Sequence, residues 1–298
     1  MVVNIQQLKV LQEIGSGKTL AETAEKLGLK QPTVSFHLHK LEGELGLTLT
    51  RKTSRKLRPT EAATDLLPYV RRIVALTAEM EERAAEHRDG NSVKLRLGAS
   101  YTPATYFMPP YFAGFQKLYP QIQLQLSVKK AEAVLAMLRG YEIEAAIVSL
   151  PESREEDLTV VPLVTDELML VFSPNHPLAS KKQVRVEDLR GETFLLHEPG
   201  STSRRLTEEW AEQVGLRFDF AMELGAIETM KEAVKCNIGI AVLPRRSIAR
   251  ETLTGELRQH ELPGYLNRRR ICLVYREEKT LSAAARKFNQ YMSSQVFG

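Results

Sequence analysis

The sequence predicts three parts: an all-α helix–turn–helix module with a basic hairpin, a long linker helix, and an α/β domain of two lobes. Two short amphipathic helices and the hairpin occupy residues 19–63, an apolar heptad follows, and strands then alternate with helices. Repeated strand–helix units indicate a mostly parallel sheet with ligand sites at the carboxyl ends of its strands. The predicted boundaries are 1–62, 63–90 and 91–298, with one lobe at 91–162 and 268–298 and the other at 163–267.

The first helix of the module is marked by residues at both of its ends. Thr19 followed by Glu22 is a capping-box pattern, in which each side chain bonds the backbone N–H of the other residue. Gly28 supplies the left-handed residue that ends the helix. The apolar face between these ends is formed by Leu20, Ala24 and Leu27, at helical spacing.

The second helix starts near Pro32, because the first turn of a helix needs no N–H from that residue. Its inner face carries Val34, Leu38, Leu41 and Leu45. The outer face and the exposed N-terminal end carry amide, hydroxyl and basic groups, which suit base edges in the major groove of DNA. The residues predicted to contact DNA from this helix are Gln31, Pro32, Thr33, Ser35, Phe36, His39 and Lys40.

Phe36 allows two interpretations, because it is apolar yet projects outward by helical phase. In the first, its ring packs partly against the hairpin or the first helix. In the second, it contacts a thymine methyl group, as apolar side chains in the major groove can do.

The hairpin at residues 47–60 is strongly basic. Residues 30–58 hold seven Lys or Arg against two Glu, a local excess larger than the net charge of +4 of the whole chain. Such an excess is the electrostatic footprint of phosphate binding. The residues predicted to hold the DNA backbone are Arg51, Lys52, Arg55 and Lys56, and Arg55 and Lys52 are also candidates for the minor groove.

This segment resembles the N-terminal winged helix–turn–helix of the LysR-type transcriptional regulators. The resemblance is carried by Gln31-Pro32-Thr33-Val34-Ser35, Lys40-Leu41-Glu42, Glu44-Leu45-Gly46 and the run from Arg55 to Thr60. The departures are Phe36, Thr50 and Lys52, where the family usually has Arg, Phe and Arg. The resemblance extends over the whole chain. It implies a transcriptional regulator that binds double-stranded DNA. Its C-terminal domain would be like a periplasmic binding protein and would bind a small-molecule effector between its lobes.

A heptad of apolar and small residues follows the module. It consists of Leu66, Val70, Ile73, Thr77, Met80 and Ala84, at alternating spacings of four and three. Such a seam is typical of helices that pair as a coiled coil; the alternative is a helix packed on its own domain. Pairing lets one dimer read both halves of an interrupted palindrome. Dimers and tetramers are therefore the expected assemblies, and RNA polymerase is a further candidate partner.

Small polar residues follow several predicted strands of the C-terminal domain. Taken alone, each hydroxyl is better explained as a helix cap. Together with free backbone N–H groups at helix starts, however, hydroxyls from both lobes form an anion site. The residues predicted to bind an effector, which is expected to be an anion, are Ser100, Thr102, Ser149, Ser201, Thr202 and Ala226, and Tyr101 and Tyr106 either border the cleft or pack.

The sequence gives no sign of a membrane segment, a cofactor or a metal. No secretory signal opens the chain, and no apolar run reaches the roughly 18–20 residues that span a bilayer, so a cytoplasmic protein is expected. Cys236 and Cys272 lack metal-ligand spacing and are expected to be reduced, buried thiols. His197 is interpreted as a strand-end residue in preference to a polar group of the cleft.

No enzyme motif is found: the chain lacks a Gly-rich phosphate loop, a nucleophile elbow and a zinc-protease helix. A transferase-type enzyme and a secreted solute-binding protein are the alternatives for residues 91–298. The first needs an acid–base cluster that the sequence lacks, and the second is disfavoured by the DNA-binding module. No catalytic residue is assigned. The expected mechanism is a regulator in which the effector closes the lobes and re-poses the DNA modules within a tetramer.

Overall fold

The structure, a computed structural model, describes residues 3–53, 56–89, 93–151, 155, 157–277 and 281–297. It divides into two compact units. The first comprises residues 1–93 with 139–142, and the second comprises residues 94–138 with 143–298.

The first unit contains four helices and a two-stranded hairpin among its described residues. Its elements are α1 (Ile5–Gly15), α2 (Leu20–Leu27), α3 (Gln31–Leu45), β1 (Thr50–Thr53), β2 (Lys56–Pro59) and α4 (Glu61–Asp89). The strands are antiparallel, with Arg51 opposite Arg58. The predicted helix–turn–helix and basic hairpin are therefore confirmed.

The ends and the inner face of this helix pair follow the sequence prediction. Both capping-box bonds between Thr19 and Glu22 are present, and Gly28 has a φ of 64°. In α3, the side chains of Val34, Leu38 and Leu41 are buried. The same periodicity that predicts the helix therefore sets which of its faces is turned away from the core.

Helix α1 was not predicted, although its signals are present. Asn4 and Gln7 form a capping box at its start. Val10, Leu11 and Ile14 are fully buried in the core of the unit. The helix packs against α2, α3 and α4, so it is the central support of the module.

Helix α4 divides into two parts that match the two interpretations of the apolar heptad. In its first part Leu67 and Val70 are buried in a cluster with residues of α1, so this stretch packs on its own unit. Further along, Ile73, Leu76 and Met80 are exposed by 47%, 52% and 63%. Ile73 and Met80 belong to the predicted heptad, whose Thr77 is half-buried, and Leu76 is exposed in addition, so pairing through this part stays a prediction.

The second unit contains ten strands and seven α-helices among its described residues. In chain order they are β3 (Val93–Ala99), α5 (Tyr101–Tyr106), α6 (Met108–Leu118), β4 (Ile122–Val128), α7 (Ala131–Arg139), β5 (Ala145–Leu150), β6 (Thr159–Thr165), β7 (Leu168–Phe172), β8 (Thr193–Leu196), α8 (Thr202–Gln213), β9 (Phe220–Glu223), α9 (Ile227–Lys235), β10 (Ile240–Pro244), α10 (Ala249–Thr254), β11 (Arg258–Glu261), β12 (Arg270–Tyr275) and α11 (Ala283–Phe297).

These strands form two five-stranded sheets, one in each lobe. The order is β4-β3-β5-β12-β6 in lobe I and β11-β7-β10-β8-β9 in lobe II. The expected parallel pairs are present, since β3 pairs with β5 and β8 pairs with β9 and β10 in parallel. Each sheet also holds a reversed strand: β12 runs antiparallel to β5 and β6, and β7 runs antiparallel to β10 and β11. The reversed strands, β7 and β12, are those that directly follow a crossing from the other lobe.

The chain crosses between the lobes twice, and the two crossing segments lie side by side. The first follows β6, which extends to Thr165, beyond the predicted lobe boundary at residue 162. The second precedes β12. The backbone N–H of Asp166 donates to the carbonyl of Arg269 at 3.0 Å, which joins the two segments.

The two cysteines differ in their surroundings. Cys272 on β12 is buried, and burial raises the pKa of its thiol to about 11. Cys236 is exposed after α9, so the expectation that both thiols are buried is wrong for this residue. Helix α9 turns its apolar side to the sheet and ends one residue earlier, which leaves Cys236 outside the core.

Within the described residues, no helix combines the length and the apolar character needed to cross a bilayer. Nor do three or more His, Cys, Asp or Glu side chains come together there in an arrangement that could hold a metal ion.

Candidate functional site

The predicted DNA-contacting residues of α3 lie on its outer face. Gln31, Pro32, His39 and Lys40 are exposed, and Thr33 and Ser35 are half-buried. Phe36 is 61% exposed and meets the ring of His37 edge-on. The described contacts therefore leave most of the Phe36 ring open, as the thymine-contact interpretation requires.

Glu42 fixes the start of the hairpin to the end of α3. Its carboxylate accepts hydrogen bonds from the backbone N–H groups of Leu49 at 2.8 Å and Thr50 at 3.2 Å. Arg51 on β1 is exposed. Of the other predicted phosphate contacts, Arg55 lies outside the described residues, as do the side chains of Lys52 and Lys56.

A cavity of about 410 Å³ lies between the lobes of the second unit. All six residues predicted to bind an effector line it, namely Ser100, Thr102, Ser149, Ser201, Thr202 and Ala226. Tyr101 and Tyr106 line it as well. The strand and helix ends that carry these residues therefore converge on one space, although up to 126 positions of the chain separate them.

The floor of the cavity is a buried hydrogen-bond network. The hydroxyl of Ser149 donates to Asp166 at 2.7 Å, and the backbone N–H of Ser149 donates to the Ser100 hydroxyl at 3.0 Å. Arg269 contacts the same Asp166 oxygen at 3.2 Å and the Thr102 hydroxyl at 3.4 Å. Asp166 is fully buried and Arg269 is 3% exposed. The two crossing segments thus place an ion pair beneath the cavity.

Several buried polar atoms of this floor have no partner within the described part of the chain. They are Nε and Nη1 of Arg269, Oδ1 of Asp166 and Nε2 of His197. Burial, helped by the positive charge of Arg269, lowers the pKa of His197 to about 4, so its imidazole is neutral at pH 7. Unpaired buried polar atoms are costly, and a bound ligand is one way to satisfy them.

Charged residues at the rim join the two lobes across the cavity mouth. Lys130 of lobe I donates to the Pro199 carbonyl of lobe II at 2.8 Å and lies 3.5 Å from Glu198. On the other side, the Tyr106 hydroxyl of lobe I donates to Glu228 of lobe II. These contacts hold the lobes together at two points of the rim.

Glu228 is held in turn by Lys231, a buried residue of α9. The Lys231 ammonium lies 2.9 Å from Glu228 and 2.7 Å from Glu251. Burial would raise the pKa of Glu228, but hydrogen bonds from Lys231 and Tyr106 outweigh it and lower the pKa. The Glu228 carboxylate therefore stays ionised at neutral pH.

Two helices of lobe II begin at the cavity. The Ser201 hydroxyl accepts the backbone N–H of Arg204 at 3.1 Å and so caps α8, as the helix-cap alternative predicts. Ala226 precedes α9 and makes no side-chain cap, which leaves N–H groups of the first turn for another acceptor. Helix starts of this kind favour a negatively charged group.

Sequence reasoning missed the charged residues of this site. Arg269, Lys130, Glu198 and Glu228 are not in the predicted set, yet all four line the cavity. His197 directly follows β8, as its interpretation as a strand-end residue predicts, and it also lines the cavity. The available signal was position: His197 and Glu198 directly follow β8, at the strand end where Ser201 was singled out.

Comparison with known proteins identifies both parts of the chain. Residues 5–64 match the bacterial regulatory helix-turn-helix protein of the lysR family, and residues 88–296 match the LysR substrate binding domain. The chain belongs to the LysR family of transcriptional regulators. It is therefore a DNA-binding regulator of transcription with a domain for a small-molecule effector.

Named relatives and solved structures match this chain over most of its length. The RuBisCO operon transcriptional regulator of Allochromatium vinosum is 30% identical over 296 residues, which cover 99% of this chain and 97% of the relative. Full-length OxyR from Pseudomonas aeruginosa has a TM-score of 0.70 at 20% identity, covering 99% and 95%. The regulatory domain of CcmR from Synechocystis PCC6803, in complex with 2-PG, has a TM-score of 0.62 at 26% identity, covering 69% and 98%.

Proposed function

We propose that this LysR-family regulator responds to a small anion bound in the interlobe cavity. The observation that carries the proposal is the convergence of Ser100, Thr102 and Thr202 with the unpaired donors of Arg269 in one buried space. Hydroxyl groups, a guanidinium and helix N-termini all stabilise negative charge. The same residues come from both lobes, so a ligand there stabilises the arrangement in which the lobes are together.

The DNA-binding role is assigned to the outer face of α3 and the hairpin. Gln31, Thr33 and Ser35 read base edges, with Phe36 and His39 beside them, and the basic hairpin holds phosphates. The exposed stretch of α4 with Ile73, Leu76 and Met80 pairs with a second copy, which gives a dimer suited to a palindrome. The protein acts in the cytoplasm, where its DNA lies.

The named relatives suggest where to begin testing. A relative at 30% identity regulates a RuBisCO operon, so promoters of that operon are the first DNA to test. The CcmR regulatory domain at 26% identity holds 2-PG, so 2-PG belongs among the first anions to test. Selection of genomic DNA fragments on the purified protein then identifies the natural sites.

Replacing Gln31 with Ala is expected to weaken binding at one base position. A side-chain amide that pairs with a base is worth about 1–3 kcal/mol of discrimination. The measurement is the affinity for the selected site and for single-base variants of it, at one stated salt concentration. Lys117→Ala, far along the chain on α6, is the control. If the variant and the unchanged protein distinguish the selected site from its single-base variants equally well, Gln31 does not contact a base.

Replacing both Ser100 and Thr202 with Ala is expected to abolish the response to the anion and preserve DNA binding. Each substitution removes a hydroxyl that lines the cavity, and neither residue lies in the DNA-binding unit. DNA affinity is measured with and without the anion that shifts it in the unchanged protein. Thr252→Ala on α10 is the control. A full response in the double variant would show that the hydroxyls do not hold the anion.

A further inference from the structure

The charges around the interlobe cavity restrict the anion further. We infer that the effector is a hydroxycarboxylate, with one negative charge and several hydroxyl groups, rather than a phosphate ester or another multiply charged anion. This inference rests on the proposed function, because it describes the ligand of the same cavity.

Among the residues that the structure describes, the cavity holds no surplus of positive charge. The charged residues that line it, together with their ion-pair partners across and behind it, are Lys130, Lys231, Arg269, Asp166, Glu198, Glu228 and Glu251. Three cations therefore face four carboxylates, and each cation already has a carboxylate partner. A charge taken out of water is expensive unless it is paired. Among the described residues, a second or third negative charge on the ligand would find no free cation in this cavity.

One negative charge does find donors at the floor. Arg269 has five N–H donors, and only its Nη2 is engaged within the described residues, by Asp166 and Thr102. The Ser100 hydroxyl accepts the N–H of Ser149, so its own proton remains available to a ligand. A carboxylate fits this set, because it offers two acceptor oxygens for a single charge.

Besides the hydroxyl groups of Thr102, Ser201 and Thr202, which can donate, the cavity presents several acceptors, and these require hydrogen atoms from the ligand. The Ser149 hydroxyl already donates its hydrogen bond to Asp166, so toward a ligand its oxygen can only accept. His197 is neutral, and a hydrogen bond of its ring to the Val242 backbone leaves Nε2 as the acceptor. Glu198 and Glu228 at the rim accept as well. Ligand hydroxyl groups satisfy such acceptors, and phosphate oxygens repel them.

The test uses two pairs of ligands: the first pair differs in charge, and the second differs in the number of hydroxyl groups. Glycerate is compared with 3-phosphoglycerate, and shikimate with benzoate, a monoanion of similar ring size that has no hydroxyl. Binding to the full-length protein is measured by calorimetry at millimolar ligand. We expect each hydroxycarboxylate to bind at least about tenfold more tightly than its comparison ligand.

Glu228→Gln tests the cause, because it removes a rim charge and keeps the shape of the side chain. The variant is expected to narrow the preference for glycerate over 3-phosphoglycerate by about tenfold, and to bind inorganic phosphate that the unchanged protein excludes. Glu212→Gln is the matched control, since Glu212 is exposed on α8 and does not line the cavity. If Glu228→Gln fails to fold, the ligand comparison in the unchanged protein decides the matter.

The outcomes separate this inference from the proposed function. If the unchanged protein binds 3-phosphoglycerate more tightly than glycerate, the effector is not restricted to a single negative charge. The proposed function, a cavity that responds to an anion, would still stand. Equal binding of shikimate and benzoate would overturn the need for hydroxyl groups. An absence of binding by every anion, in the unchanged protein and in both variants, would overturn the cavity as an anion site.

Discussion

Replacing Arg269 with Met is expected to destabilise the second unit by about 3–5 kcal/mol, the cost of breaking a buried ion pair by removing one partner. The substitution leaves Asp166 fully buried with a negative charge and no cation. Its effect spreads, since Asp166 also accepts the hydroxyl of Ser149 on the cavity floor. Arg269 thus links stability of the lobe crossing to the shape of the ligand site.

The measurement uses the single tryptophan of the chain. Trp210 is 1% exposed on α8, and its ring N–H donates to the Pro263 carbonyl at 2.9 Å, so its fluorescence reports on the unit that holds Arg269. Urea unfolding of the full chain gives the free energy of unfolding. Arg268→Met, one residue away and exposed, is expected to change it by less than about 0.5 kcal/mol.

A double variant tests whether the unpaired charge of Asp166 causes the loss of stability in Arg269→Met. Arg269→Met combined with Asp166→Asn removes both charges, so it should be clearly more stable than Arg269→Met alone. If the double variant lowers the free energy of unfolding by the sum of the two single losses, the two residues act independently. In that case the account of a paired charge beneath the cavity would be wrong.

Local patterns predicted the parts of this fold that depend on neighbours in the chain. The ends of α2 follow from Thr19, Glu22 and Gly28, and the six cavity residues follow from their positions at strand ends. Strand ends converge because parallel neighbours such as β3 and β5 present the same edge of the sheet. Burial of Val34 and Leu38 follows from helical spacing alone.

What the sequence left open depends on contacts between distant segments. Arg269 stands in a run of three arginines, which resembles a solvated surface segment. Arg269 is buried because the second crossing segment lies beside the first. The first segment holds Asp166, which is 103 positions earlier in the chain. Likewise, the heptad of α4 is one pattern in the sequence, but α1 covers only its first part.

Replacing Lys231 with Met is the second large effect that we expect, again about 3–5 kcal/mol. Lys231 is 4% exposed, and its ammonium contacts Glu251 at 2.7 Å and the Ser247 carbonyl at 3.1 Å. Burial would lower the pKa of Lys231, but its bonds to Glu228 and Glu251 raise it, so the side chain is charged at neutral pH. Its loss leaves the Glu251 carboxylate buried without a cation.

The neighbouring Lys235 provides a matched control on the same helix. Lys235 also contacts two glutamates at 2.9 Å, but the side chains of Glu232 and Glu256 are 65% and 50% exposed. Water solvates these carboxylates when the lysine is removed, so Lys235→Met should cost no more than about 1 kcal/mol. Equal losses from the two variants would show that burial does not set the strength of these pairs. A larger loss from Lys231→Met would show that burial sets the strength of these pairs.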